Sequence, residues 1–315
     1  MIYTVTLNPA LDRQYTVHEF TLNTVLRAQD SRVDIGGKGF NVSRALRQLG
    51  VPSTAMGFTG GKTGEILEEG LSNLGIRTDF VHIRGETRTN TSLLNQNGVD
   101  YLKVNESGPT ITRDEMDQVI NEVSKLAREN DWWVLSGSLP PGVPPDFYAD
   151  LIRVIQSNRA RAALDSSGEA LRLGCVASPA LIKPNAEELA ALTGGKVETS
   201  SDALEEMHAA HQMGAKWVLL SLGNEGAVLS DGQQVWKASA PAVEEINPIG
   251  AGDALLAGYL AGLVWGKERP EALRWAVASG AAAASLGGTR FGALDTVSSL
   301  FNKTISKEIK TSLAT

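Results

Sequence analysis

The chain is 315 residues long, 42% hydrophobic, and carries a formal net charge of −7. Such a length can bury a sizeable core as one large domain or as a domain with a lid, and without a dense Lys/Arg block nucleic acid is excluded as the expected partner. The single cysteine, Cys175, excludes an intrachain disulfide and suits a reducing cytoplasm, and neither a signal peptide nor an apolar run near the roughly 20 residues of a membrane span is read, so no membrane partner is expected.

Short apolar runs alternate with longer segments of helical period, the pattern of βα units, so the expected fold class is α/β with a mainly parallel central sheet. Central strands are expected at residues 2–7, 53–58, 132–136, 162–165, 180–183 and 217–222. Ligands of open α/β sheets collect beyond the carboxyl ends of strands. That rule marks Asn8, Ser136-Gly137-Ser138, Asp165-Ser166-Ser167, Lys183-Pro184-Asn185 and Leu222-Gly223-Asn224 as site positions. Two stretches, about 13–34 and 79–105, have near-alternating Thr, Val and polar residues instead, with Asn97-Gly98 reading as a type I′ hairpin turn. They are read as strands of a small sheet, a lid inserted into a single domain spanning 1–315.

Two glycine-rich turns each run into a helix. Near the C-terminus, Asn247-Pro248-Ile249-Gly250-Ala251-Gly252-Asp253 precedes a segment of helical composition. Unpaired N–H groups of Gly250, Ala251, Gly252 and Asp253 at a helix start would favour an anion, and the Asp253 carboxylate would stand beside it, placed to take a proton from a hydroxyl. An ordinary turn with an Asp in the first helical turn has the same local pattern. The other turn, Gly36-Gly37-Lys38-Gly39-Phe40-Asn41, offers close backbone approach, a cation and an amide of either polarity. Neither it nor Gly57-Phe58-Thr59-Gly60-Gly61-Lys62-Thr63 has the P-loop spacing, and no glycine triplet has the dinucleotide-binding pattern.

Together the two turns resemble the two signatures of the ribokinase-like, phosphofructokinase B type carbohydrate kinases. Further segments similar to the hexose-phosphate branch stand between and around them. They include Thr6-Leu7-Asn8-Pro9-Ala10-Leu11-Asp12, Thr87-Arg88-Thr89-Asn90, Ser136-Gly137-Ser138-Leu139-Pro140 and Lys183-Pro184-Asn185-Ala186-Glu187-Glu188. The resemblance covers nearly the whole chain and implies a three-layer α/β/α domain with a small β lid. It implies transfer of the ATP γ-phosphoryl group to a ketohexose phosphate, most closely fructose 1-phosphate, with tagatose 6-phosphate and fructose 6-phosphate as alternatives. A non-catalytic sugar-phosphate-binding regulator is the alternative of another class, against which the intact Gly250–Asp253 run argues.

By the same resemblance Asp253 is the base, with Gly250, Ala251 and Gly252 in the anion hole. Asp12, Gly37, Asn41 and Ser138 bind the sugar; Lys38, Arg88 and Arg27 hold its phosphate, although Arg27 also reads as a solvated lid residue. Lys183, Ser221, Gly223, Gly226 and Gly288 belong to the ATP site. Asn185 and Glu188 approach Mg²⁺ through water, and their spacing is equally that of a helix capping box. A monovalent cation such as K⁺ is implied beside the turn 247–249, where Asn247-Pro248-Ile249 replace the small hydroxyl residues common in relatives. A homodimer through the β lid is the implied assembly. His208 and His211 lack further ligands and read as a helix face, not a metal site.

Overall fold

The computed structural model describes residues 1–20, 23–96 and 101–309. The expected Asn97-Gly98 turn lies outside them. The chain opens with β1 (Ile2–Thr6), sends out β2 (Ala10–Val17) and β3 (Asp30–Gly36), and returns through α1 (Lys38–Gln48), β4 (Ser53–Thr59), α2 (Gly61–Asn73) and β5 (Arg77–His82). A second excursion makes β6 (Arg88–Asn95) and β7 (Tyr101–Val104). Then follow α3 (Arg113–Leu126), β8 (Trp132–Ser136), α4 (Phe147–Ser157), β9 (Arg161–Asp165), α5 (Gly168–Val176), β10 (Leu181–Ile182), α6 (Ala186–Thr193), α7 (Ser200–Gln212) and β11 (Val218–Ser221). Two hairpin strands, β12 (Ala227–Ser230) and β13 (Val235–Ala238), lead to α8 (Ala251–Val264), α9 (Arg269–Ala284), α10 (Leu294–Phe301) and β14 (Ser306–Ile309).

Ten strands form one sheet in the order β14-β13-β12-β11-β10-β9-β8-β1-β4-β5. Pairing is parallel from β11 through β5 and antiparallel from β11 to β14. Apolar side chains on successive residues serve opposite faces, as a doubly covered sheet requires. On β8, Trp133 and Leu135 join a core with Val119 of α3, Ile152 of α4, Leu171 of α5, Leu189 of α6 and Met207 of α7. Trp132 and Val134 join another with Leu46 of α1, Leu256 of α8, Ala276 of α9 and Leu300 of α10. The result is three layers, α/β/α. From β1 the chain winds outward to β4 and β5 and then crosses back to β8, so strand order reverses between β1 and β8. A crevice at the carboxyl ends of these strands follows from that reversal.

The small sheet has the order β3-β2-β6-β7. Its bounds differ from those expected. Residues 79–82 belong to β5 at the edge of the large sheet, where Asp79 pairs with Met56. Burial explains this: Val81 is 6% exposed in the core and Phe80 meets Phe40 edge-on at 5.5 Å. The first lid strand also begins earlier, at Ala10, which places Asp12 on the lid instead of in a loop before it. Among the described residues no helix is long and apolar enough to cross a membrane.

Candidate active site

A cavity of about 1070 Å³ opens at the strand ends and is walled on one side by the lid. Asp253 lines it from the first turn of α8 and is only 7% exposed. Gly250 makes the turn into that helix at φ +83°, a left-handed conformation suited to glycine, with the Phe291 ring 3.4 Å from where a Cβ would stand. The Ala251 N–H donates to the Pro248 carbonyl at 3.1 Å, whereas those of Gly250, Gly252 and Asp253 meet no protein acceptor among the described residues. Three donors are therefore left for an anion, not the four expected, because the turn preceding the helix closes on Ala251. The helix start favours negative charge at the same spot.

Three carboxylates and two lysines set the electrostatics. Asp165, at the end of β9, has no exposed surface; it accepts from Lys38 Nζ at 3.0 Å and faces Lys183 Nζ at 3.4 Å. Lys183 is 5% exposed, and its ammonium lies 3.5 Å from the place of a Cβ on Gly252, next to the free N–H groups. Burial first, and the charge of Asp165 second, push the Asp253 carboxyl up to about 7. Against that rise act the Asn41 amide, which donates to Asp253 Oδ2 at 2.8 Å, and then Lys183 and Lys38. Burial opposes the charge on Lys38, but Asp165, Glu188 and Asp253 outweigh it and hold its ammonium far above the ordinary lysine range. Asp253 is thus a carboxylate poised to exchange a proton near neutrality.

On the lid, Asp12 of β2 lies in register with Asn90 of β6. Asn90 Nδ2 donates to Asp12 Oδ1 at 2.8 Å and leaves its own Oδ1 buried without a hydrogen-bond partner. Asn8 Oδ1 is likewise without one. An unmet buried acceptor costs about 1–3 kcal/mol, so both mark places for a donor such as a hydroxyl. Arg88 reaches the same end of the cavity, where Nη2 donates to Asn8 O at 2.9 Å, Nη1 to Glu106 O at 2.8 Å and Nε to Pro9 O at 3.4 Å. Lys103 and Asn105 line it as well.

Opposite the lid, Asn185 caps α6: its Oδ1 accepts from Glu188 N at 2.7 Å while Glu188 Oε2 accepts from Asn185 N at 3.0 Å. That capping box leaves Glu188 Oε1 free to face Lys38 Nζ at 3.7 Å. A parallel bridge joins Asn185 to Ser221. The short turn after Ser221 ends at Gly226, φ +102°, where a Cβ would fall 2.0 Å from the Ala238 carbonyl and no side chain fits. Val243, Val277, Ala281 and Ala284 give this end an apolar wall.

Of the expected residues, Asp12, Gly37, Lys38, Asn41, Arg88, Ser138, Lys183, Asn185, Glu188, Ser221, Gly223, Gly226 and the run Gly250 to Asp253 all line the cavity. Arg27 and Gly288 do not. Arg27, which lies between β2 and β3, is exposed. The Gly288 loop is held just outside the lining, where Asn247 Nδ2 donates to Gly288 O at 3.2 Å and Arg44 Nη2 to Thr289 O at 2.8 Å. Asp165, Asn8 and Asn90 were legible as strand-end polar residues or as members of family-like segments, with no individual role assigned to them.

The pfkB family carbohydrate kinase model matches residues 6–296. The 1-phosphofructokinase of Bacillus subtilis is 37% identical over 284 residues, 90% of this chain and 92% of that one. The tagatose-6-phosphate kinase of Staphylococcus epidermidis is 36% identical over 286 residues, 89% and 91% of the two chains. Among solved structures, phosphofructokinase-2 from Escherichia coli in complex with potassium superposes with a TM-score of 0.91 at 31% identity, covering 96% of this chain and 98% of that one. With its two glycine turns meeting in one cavity and a family match over most of its length, the chain belongs to the pfkB family of carbohydrate kinases and is an ATP-dependent sugar-phosphate kinase.

Proposed function

We propose that the chain phosphorylates a primary hydroxyl of a ketohexose phosphate, with fructose 1-phosphate the acceptor and fructose 1,6-bisphosphate the product. The observation that carries this reading is one cavity holding a buried carboxylate, three free helix-start N–H groups beside it, and hydroxyl-binding and cationic side chains on the lid. Asp253 accepts the hydroxyl proton. The hydroxyl oxygen then bonds to the γ-phosphorus as the bond from that phosphorus to the β–γ bridging oxygen breaks, and ADP leaves. The N–H groups of Gly250, Gly252 and Asp253, with the Lys183 ammonium, stabilise the negative charge on the group in transit.

Asp12, Gly37, Asn41 and Asn90 hold sugar hydroxyls, and Ser138 borders them. Arg88, joined by Lys103, exchanges its carbonyl contacts for the phosphate already on the sugar. Lys38 is engaged with Asp165 and Glu188, so its charge serves the transferring phosphate more directly than the resident one. Ser221, Gly223 and Gly226 cradle ATP. No group of three His, Cys, Asp or Glu side chains among the described residues can hold a metal ion by itself. Asn185 and Glu188 suit Mg²⁺ held through its waters and completed by ATP phosphates, where it would neutralise their charge. A monovalent cation such as K⁺, with which phosphofructokinase-2 from Escherichia coli was solved, would sit at the 247–249 turn by the family resemblance, although Asn247-Pro248-Ile249 replace the small hydroxyl residues common there. Exposed Val33, Tyr101, Leu102 and Val104 on the lid support pairing of two copies there.

Two of the relatives act, by name, on different sugar phosphates, so the acceptor is tested directly. With ATP and Mg²⁺, kcat/KM for fructose 1-phosphate is expected to exceed those for fructose 6-phosphate and tagatose 6-phosphate by about tenfold or more. A different rank order would replace the acceptor. ADP release with none of the three would overturn the reading.

A further inference from the structure

Arg44 lies on α1 three residues beyond Asn41, a spacing that puts both on one helix face, and it does not line the cavity. Its Nη1 donates to Ile35 O at 3.3 Å, to Asn41 Oδ1 at 3.3 Å and to Thr289 Oγ1 at 3.4 Å, and its Nη2 donates to Thr289 O at 2.8 Å. Its Cζ stands 5.3 Å from the centre of the Phe291 ring, the same ring that borders Gly250. One half-buried guanidinium therefore joins the end of lid strand β3, the helix α1 and the loop after α9.

The Asn41 amide is held at both ends. Its nitrogen donates to Asp253 Oδ2 at 2.8 Å, and among the described residues Arg44 is the only protein donor to its oxygen. A guanidinium has donors and no acceptor, so the amide oxygen must face Arg44 and the nitrogen is left for Asp253. Turned over, the amide would set its oxygen against a carboxylate and its NH₂ against a cation, two repulsions at once.

We infer that Arg44 is a positioning residue for phosphoryl transfer, fixing the Asn41 amide so that its NH₂ group steadies Asp253 in the orientation that receives the proton. The inference rests on the reading of Asp253 as the base. Because Ile35 and Thr289 anchor the guanidinium, the orientation of Asp253 is also tied to the seating of the lid and of the loop beside Gly250.

A double-variant cycle in kcat tests this. Arg44→Gln is expected to lower kcat about 10- to 100-fold with KM for ATP changed less than about threefold, and the Arg44→Gln/Asn41→Ala double variant should be no slower than Asn41→Ala alone. Losses that multiply, as two independent structural roles would give, overturn it; so does an Arg44→Gln kcat within about twofold of the unsubstituted enzyme. If Arg44→Gln lacks a cooperative melt, Arg44→Lys enters the cycle in its place, and the same multiplying or non-multiplying outcome decides. Failure of the base assignment shows elsewhere, as near-normal kcat in Asp253→Asn, and leaves the coupling of positions 44 and 41 readable.

Discussion

Asn in place of Asp253 is expected to lower kcat about 1,000-fold while the Kd for ATP changes less than about threefold. The amide has nearly the carboxylate's shape and can still accept from Asn41, but it cannot take a proton. ADP release and calorimetric titration with ATP measure the two quantities, and a kcat near normal would remove Asp253 from the reaction. The same variant is expected to melt at a higher temperature near pH 8. The sign follows from linkage: an aspartate titrates near 3.9 in an unfolded chain, whereas burial lifts Asp253 to about 7 in the fold. Its contribution to stability is therefore fully present below the unfolded value and is lost as pH rises through about 7, where the buried charge must form. Removing that charge relieves the cost, so activity and stability should move in opposite directions.

Asp165→Asn is expected to cost about 3 kcal/mol of stability, the lower end of what breaking a buried ion pair costs. It strips Lys183, 5% exposed, of its direct partner. Asp253 still lies near enough to offset part of that positive charge, which keeps the loss from the upper end. The charge of Asp165 is also the second cause of the raised Asp253 carboxyl, so its removal should move the acid limb of kcat/KM to lower pH. Guanidinium unfolding and a pH profile check both effects. An unchanged unfolding midpoint would show that Asp165 does not offset the two lysines, and an unmoved limb would show that its field does not reach Asp253.

Local features carried across from sequence to structure. The six expected central strands appear with bounds shifted by a residue or so, because alternation and strand-end Gly, Asn and Ser report directly on a covered sheet. The Gly250 to Asp253 turn was legible for the same reason, since a glycine turn and the helix it starts are one continuous segment. Other features depend on residues far apart in the chain. Lys38 meets Asp165 across 127 positions and Asn41 meets Asp253 across 212, so no window of sequence shows that Lys38 is already paired or that Asp253 is held from α1. Residues 79–82 have a lid-like composition, and only packing against Phe40 and pairing with β4 assign them to the large sheet. The family resemblance puts Gly288 in the ATP site, whereas Asn247 and Arg44 hold its loop just outside the cavity lining, a contact between residues far apart in the chain.

The pH dependence of kcat/KM, compared between the unsubstituted enzyme and Asp253→Asn, tests most directly whether Asp253 takes the proton. Below about 7 the unsubstituted enzyme should lose about tenfold per pH unit, and the residual rate of Asp253→Asn should lack that limb, retaining only what the ionising phosphates of the two substrates impose on both. A flat profile down to about pH 5, or a limb shared unchanged by Asp253→Asn, would contradict it.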